Sequence, residues 1–225
     1  MKHSKRFLTL KTKIKNKFYS TNDAIELLKN FATCNFIESA EAHITLNLTH
    51  KNINYNVRSQ LIFPYGTGKK QKIAIFDDSI DFLNLGADIV GIDNILNQIE
   101  NRKINFDILI TTPLNMPKLL KFGKILGPKG LMPSLTLGTI TSNIEESLSL
   151  FKNGKTEYRS DKTGIVHIVF GKLNFTKEQL LDNLCSLYLS LIETKPSQIR
   201  GKYIKSFSIC STMSPSIFVD IYSFK

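Results

Sequence analysis

The sequence predicts a mixed α/β protein of two domains: an α+β domain built from both chain ends, and an α/β domain inserted between them. Three observations predict it. Residues 42–49 and 165–169 alternate apolar and polar side chains, the period of a strand with one buried face. Between about Gly66 and Leu126, short apolar runs alternate with helical spacing, the texture of a parallel sheet covered on both faces. The texture changes near Gly66 and near Tyr158, and both neighbourhoods contain the glycine that suits a hinge. The outer domain is therefore 1–66 with 158–225, and the inserted one is 67–157.

Each element follows from local pattern. Ser20 can cap a helix with apolar positions at Ala24, Ile25, Leu27, Leu28 and Phe31. A strand over 42–49 follows, and a second spans Val57–Phe63, stopped by Pro64 and Gly66. Lys72–Phe76, Ala87–Val90 and Phe106–Ile110 are short strands, with helices near Asp93–Ile99 and Leu119–Leu126. Ser142 with Glu145 has the spacing of a capping box, and Asn153-Gly154 behind that helix is a C-terminal cap or a tight turn. Thr176 with Gln179 is a further capping box, opening a helix that stacks Leu180, Leu184, Leu187, Tyr188 and Leu191 on one stripe. A final strand over Tyr203–Ser208 leads into the closing segment Cys210–Ser216.

Charge carries the first functional signal. The 225 residues hold 30 Lys and Arg against 19 Asp and Glu, a formal net charge of +11, which calls for a polyanionic partner. Within the first 17 residues lie Lys2, Lys5, Arg6, Lys11, Lys13, Lys15 and Lys17 with no acidic residue, a basic arm that reads either as a solvated tail or as a phosphate contact. Its Lys-rich make-up differs from the Arg- and Ser-rich composition of a transit peptide, so no cleaved leader is expected. The longest apolar runs are strand-length, far below the roughly 20 residues of a spanning helix, and the arm lacks the Trp and Leu face of a membrane-surface helix, so no membrane partner is expected.

Catalytic patterns are missing. Pro64–Lys70 resembles a phosphate loop, but Lys70 occupies the place of the Mg²⁺-binding hydroxyl and no glycine lies five residues before Gly68. Cys34, Cys185 and Cys210 form no CxxC pair, and His3, His43, His50 and His167 show no metal-ligand spacing. His43 and His167 fall in strand patterns and read as packed or hydrogen-bonded residues. Asp77-Asp78 and Glu145-Glu146 are adjacent pairs whose side chains diverge. No enzyme activity, cofactor or metal is expected. Ile125–Pro133, with glycine and proline around Lys129, reads as a rigid loop or a polyanion contact, and Arg159–Gly164 as a turn between strands. Phe36 reads as a core residue, with stacking on a base as the alternative.

Together these segments resemble the family of bacterial-type large ribosomal subunit protein one. The run Leu126–Pro133, followed by Gly138-Thr139-Ile140-Thr141, is similar to that family's LGPRGLMP…GTVT signature. Asn56-Val57-Arg58, Pro64–Lys69, Gly86-Ala87-Asp88, Asp161–Gly164 and Thr212–Pro215 match in order and spacing. The resemblance implies that the inserted domain is a Rossmann-like three-layer α/β/α block on a hinge, placed here at Gly66, Gly68 and Tyr158. It implies rRNA contact through Phe36 and Glu38 and through Thr212, Met213 and Ser214; Pro215 and Ser216 of the same loop, and by their charge or place Arg58, Lys162 and the arm residues Lys2, Lys5 and Arg6, are expected to join them. It further implies a monomer in the large subunit's mobile stalk, on the ribosome of a bacterial cytoplasm or of an organelle's matrix or stroma. The implied partners are large-subunit rRNA, exit-site tRNA that has lost its acyl group and, for bacterial members, the protein's own messenger. Four positions depart from the pattern: Asn35, Ser59, Tyr65 and Ser214, the last replacing a glycine where an added side chain is expected to crowd a backbone close to RNA.

Overall fold

The computed structural model describes residues 4–15, 17–50, 53–54, 57–78, 85–197, 199 and 201–224, with the backbone alone at 49, 50, 53 and 54. Lys2, His3 and Asn56 lie outside the described residues. The chain is mixed α/β and divides into two compact units, Met1–Gly68 with Thr156–Lys225, and Lys69–Lys155.

The first unit is organised by a four-stranded antiparallel sheet. Its strands are β1 (Ser39–Leu46), β9 (Ile165–Lys172), β10 (Ile204–Ser211) and β11 (Ile217–Val219), in the order β11-β10-β1-β9. Alternate residues of β1 are buried, as a period of two requires. Ala40, Ala42, Ile44 and Leu46 face a core shared with Ile25, Leu28, Phe170, Leu184 and Phe207, while Ser39, Glu41, His43 and Thr45 face the other way. Two helices cover the core side: α2 (Thr21–Asn30) and α7 (Lys177–Glu193). The Ser20 hydroxyl accepts from Asp23 N–H to start α2. Both bonds of the Thr176–Gln179 capping box are present at the start of α7. Thr176→Ala should therefore lower stability by about 1 kcal/mol, read as a fall in Tm of roughly 2–4 °C.

The second unit is a three-layer block. Its parallel sheet has the order β6-β5-β7, with β5 at Ile73–Phe76, β6 at Ile89–Val90 and β7 at Ile108–Thr111. Every residue of β5 is buried, because its two faces feed two cores. Ala74 and Phe76 pack with Leu109 against α3 (Ile92–Glu100) and the short helices α4 (Met116–Leu120) and α5 (Gly123–Leu126). Ile73 and Ile75 pack with Ile110 against Ile144, Leu148 and Phe151 of α6 (Ile144–Lys152). The remaining strands are β2 (Thr49–His50) paired with β3 (Ile53–Asn54), and β4 (Arg58–Ile62) paired with β8 (Lys155–Arg159).

Several local expectations are corrected. The basic arm contains a helix, α1 (Lys5–Lys13), begun by the Ser4 hydroxyl accepting from Phe7 N–H and held by buried Leu10 and the packed Ile14. The expected helix over 119–126 is two short ones. The capping box at Ser142 does not form; Thr141 Oγ1 accepts from Asn143 N–H, and Asn143 becomes the cap, its amide donating to Glu146. Gly154, at φ 90°, ends α6 as a C-terminal cap. The last long strand runs on to Ser211, because β1 continues to pair with it as far as Ala40.

Candidate nucleic-acid interface

The site sits at one end of the four-stranded sheet, where β1 begins and β10 ends. Glu38 precedes β1 and is buried to 1% exposure. Its Oε2 accepts from Ser211 Oγ at 2.5 Å and from Met213 N–H at 3.0 Å. Thr212 closes the same junction, its Oγ1 accepting from Ser39 N–H at 3.0 Å while its own N–H donates to Ser39 O. From α1, Arg6 reaches across, donating to Thr33 Oγ1, to Cys34 Sγ and to Met213 O at 2.8 Å. The arm, the 33–38 loop and the 211–216 loop are thereby fastened together. Burial pushes the Glu38 carboxyl up, but the hydrogen bonds from Ser211 and Met213, the neighbouring Cys34 and the Arg6 charge outweigh it, and the net shift is downward.

The groups left pointing outward are Phe36 at 54% exposure and Met213 at 49%. The expectation of a core phenylalanine at 36 is therefore overturned: the bend after α2 turns the ring to solvent. Ser216 is exposed as well, whereas Pro215 is buried and supports the loop from below. Glu38, also expected at the RNA surface, is instead an internal brace. Ser214 brings no crowding within the loop itself. Its hydroxyl folds back to accept from Ser211 N–H at 2.8 Å and donates to Pro215 O, and its backbone is not among those with positive φ. A groove of about 530 Å³ runs between α1 and this loop, lined among others by Phe7, Lys11, Lys15, Ser216 and Phe218. Lys5, Lys11, Lys13, Lys15 and Lys17 are exposed.

Two expected partners lie elsewhere. β1 and β9 are antiparallel, so Ser39 pairs with Lys172 and Thr45 with Ile165. Lys162, three residues before Ile165, is consequently at the opposite end of the sheet, roughly 20 Å from Glu38 at strand rise. Arg58 belongs with it: Val57 exchanges hydrogen bonds with Ser160, and Arg58 Nε is ion-paired with Glu157 Oε1. Gly66 and Gly68 have φ of 62° and 73°, and a Cβ at Gly68 would come 2.8 Å from Lys172 Cγ. Tyr158, expected as a hinge, is 2% exposed and its hydroxyl meets Ser190 of α7 and Thr194, the residue that caps it, at 2.9 Å, which makes it an anchor. The Gly127–Gly130 tip of the second unit is exposed over buried Leu126, with Leu131 N–H returning to Leu126 O, the ordered loop its composition predicts.

A profile of the Ribosomal protein L1p/L10e family matches residues 28–215, a span that takes in Glu38, every strand but β11 and most of the closing loop. The chain belongs to that family. Large ribosomal subunit protein uL1c of Cyanidioschyzon merolae is 48% identical over 98% of this chain and 98% of its own length. The uL1c of Phaeodactylum tricornutum is 50% identical over 93% of each, and the uL1 of Prochlorococcus marinus 44% identical over 98% of this chain and 95% of its own. Family membership makes this a structural protein of the large ribosomal subunit, not an enzyme. Ser211 and Thr33, which hold Glu38 and Arg6 in place, were not among the expected site residues. Ser211 and Thr33 carry no local signal, since only the fold brings them to Glu38 and Arg6.

Proposed function

We propose that this L1-family protein binds large-subunit rRNA through α1, the 33–38 loop and the Thr212–Ser216 loop. The observation that carries the reading is the brace: buried Glu38 and Arg6 together hold Met213 at the surface, beside a run of lysines without acidic neighbours. Such a surface pairs preset shape with charge. The exposed Phe36 ring can stack on a base, and hydroxyls and backbone N–H groups reach 2′-hydroxyls and phosphates. The lysines supply affinity by counterion release.

In this reading 1–66 with 158–225 is the RNA-binding domain, and 67–157 is an inserted domain on a hinge at Gly66 and Gly68. The protein then serves as the mobile stalk at the exit site and assists release of deacylated tRNA, on a ribosome in a plastid stroma or a bacterial cytoplasm. The plastid and cyanobacterial relatives support that location. A matching RNA shape in its own messenger would make the same surface a translational repressor.

The test is binding to a large-subunit rRNA fragment and to an unrelated RNA across a salt series. Met213→Ala should weaken specific binding by about 1–3 kcal/mol and leave unrelated RNA nearly unaffected. Lys5→Ala should lose less, lose it equally on both RNAs, and make the slope of log K against log salt shallower by roughly 0.7–0.9. Equal loss of specificity in the two variants, or an affinity indifferent to salt, would refute the assignment.

A further inference from the structure

The face of the four-stranded sheet turned away from α2 and α7 holds four groups outside the RNA site. Glu41 and His43 lie two residues apart on β1, hence on the same side. The register sets Glu41 opposite Cys210 on β10, and His43 opposite His167 on β9. Their side chains converge. His43 Nε2 is 3.1 Å from Cys210 Sγ and 3.9 Å from Glu41 Oε2, and the three donor atoms all lie within 4.8 Å of one another. In a tetrahedral zinc centre, bonds of about 2.0–2.3 Å hold ligand atoms roughly 3.3–3.7 Å apart, so small side-chain rotations suffice.

We propose that Glu41, His43 and Cys210 bind one Zn²⁺ on the open face of this sheet, with His167 as a positioning residue. The donor set selects the metal. A thiolate, an imidazole and a carboxylate suit zinc, whereas Mg²⁺ and Ca²⁺ take oxygen shells. All three residues are partly exposed, which leaves a fourth position for solvent. A second feature points the same way. Coordination through His43 Nε2 fixes the ring proton on Nδ1, and that atom lies 2.8 Å from His167 Nδ1, a ready acceptor. His167 Nε2 then faces Asp161 Oδ2 at 3.9 Å. The His43–His167 contact is the outer-shell hydrogen bond that orients a metal-binding histidine, while the Asp161 carboxylate lies beyond hydrogen-bond reach.

Binding replaces the Cys210 S–H bond by S–Zn and passes one proton to buffer. The ion would tie β1 to β10 at Glu41 and Cys210, one pair from Ala40 and Ser211, and so stiffen the strands under the Glu38 brace. Sequence spacing could not show this site. Positions 41, 43, 167 and 210 form no zinc motif, and only the strand order β9-β1-β10 assembles them.

The test uses untagged, reduced, full-length protein stripped with a chelator, titrated with Zn²⁺ by calorimetry in two buffers of different ionisation heat and with Co²⁺ by absorption. One equivalent of metal should bind with release of about one proton, and Co²⁺ should give a thiolate charge-transfer band with intense visible bands. Cys210→Ser should abolish the charge-transfer band and weaken binding at least 100-fold, and the double variant Cys34→Ser/Cys185→Ser should match the parent. His167→Gln should keep the band and weaken binding roughly 10-fold, as loss of an outer-shell partner does. Should Cys210→Ser fail to fold, Glu41→Gln, of the same shape, decides the question: it should keep the charge-transfer band and lose at least 10-fold in affinity. Substoichiometric binding, a band that survives Cys210→Ser or vanishes in the Cys34/Cys185 double variant, or unchanged affinity in Glu41→Gln overturns the proposal.

Discussion

Glu38→Ala should reduce specific rRNA affinity roughly a hundredfold or more, about 3 kcal/mol, although the carboxylate itself is hidden from the RNA. The cause is the number of groups it holds. Removing the acceptor strands the Ser211 hydroxyl and the Met213 N–H and leaves the Arg6 guanidinium without its balancing charge. With about 1–3 kcal/mol lost for each of these two donors left unmet, stability should fall by about 2–6 kcal/mol. The 211–216 loop should loosen, seen as faster hydrogen exchange at Met213 N–H. The lysines stay, so the salt slope should remain close to the parent's while specificity disappears. Wild-type affinity in Glu38→Ala would remove Glu38 from the brace.

The same residue gives a pH signature. Its carboxyl is held below the ordinary glutamate range when folded, so the unfolded chain takes up the proton first. The stabilisation is complete above that range and drains away as the pH falls through the depressed folded value. A Glu38→Gln protein should lack this part of the acid dependence, and denaturant melts from neutral pH downward should show the two proteins converging.

How much of this was legible depends on how local the cause is. Ser20 and Thr176 cap their helices because a hydroxyl and the backbone N–H three residues on are neighbours in any helix start. The strand periods of β1 and β9 and the buried run of β5 were readable for the same reason, since one buried face or two leaves its mark residue by residue. Ser142 misled because a rival cap one residue later, Asn143 with Glu146, has equally good spacing. The resemblance singled out Phe36, Glu38 and Thr212–Ser216, which the fold does bring together, but not the part each plays in that cluster. That Glu38 is a brace and Phe36 a surface ring depends on which residues β1 and β10 bring together over 173 positions of chain. Arg58 and Lys162 joined the expected set for being basic and in matching motifs, and antiparallel register places them at the other end of the sheet.

Asn183→Leu should cost about 3 kcal/mol of stability, seen as a Tm lower by roughly 6–12 °C, with the transition of the chain-end unit affected first. The sequence does hold its signal: Asn183 lies three residues after Leu180 and four before Leu187, a polar residue on the buried stripe of a helix. The structure shows why it is there. Fully buried, its amide donates to Gly66 O at 2.9 Å and to Phe170 O at 2.8 Å, and its carbonyl accepts from Tyr65 N–H at 3.2 Å. Leucine fills the space and meets none of these. The consequence reaches past stability, because α7 moors the chain at both of its passages between the units: Asn183 holds Tyr65 and Gly66 on the way out, and Ser190 and Thr194 hold Tyr158 on the return. Freed from Asn183, the segment 65–70 should become the first site of limited proteolysis, while Tyr158→Phe should leave that cleavage at the parent's rate. If Asn183→Leu melts like the parent and resists protease at 65–70, the mooring is not what fixes this segment where the chain leaves the first unit.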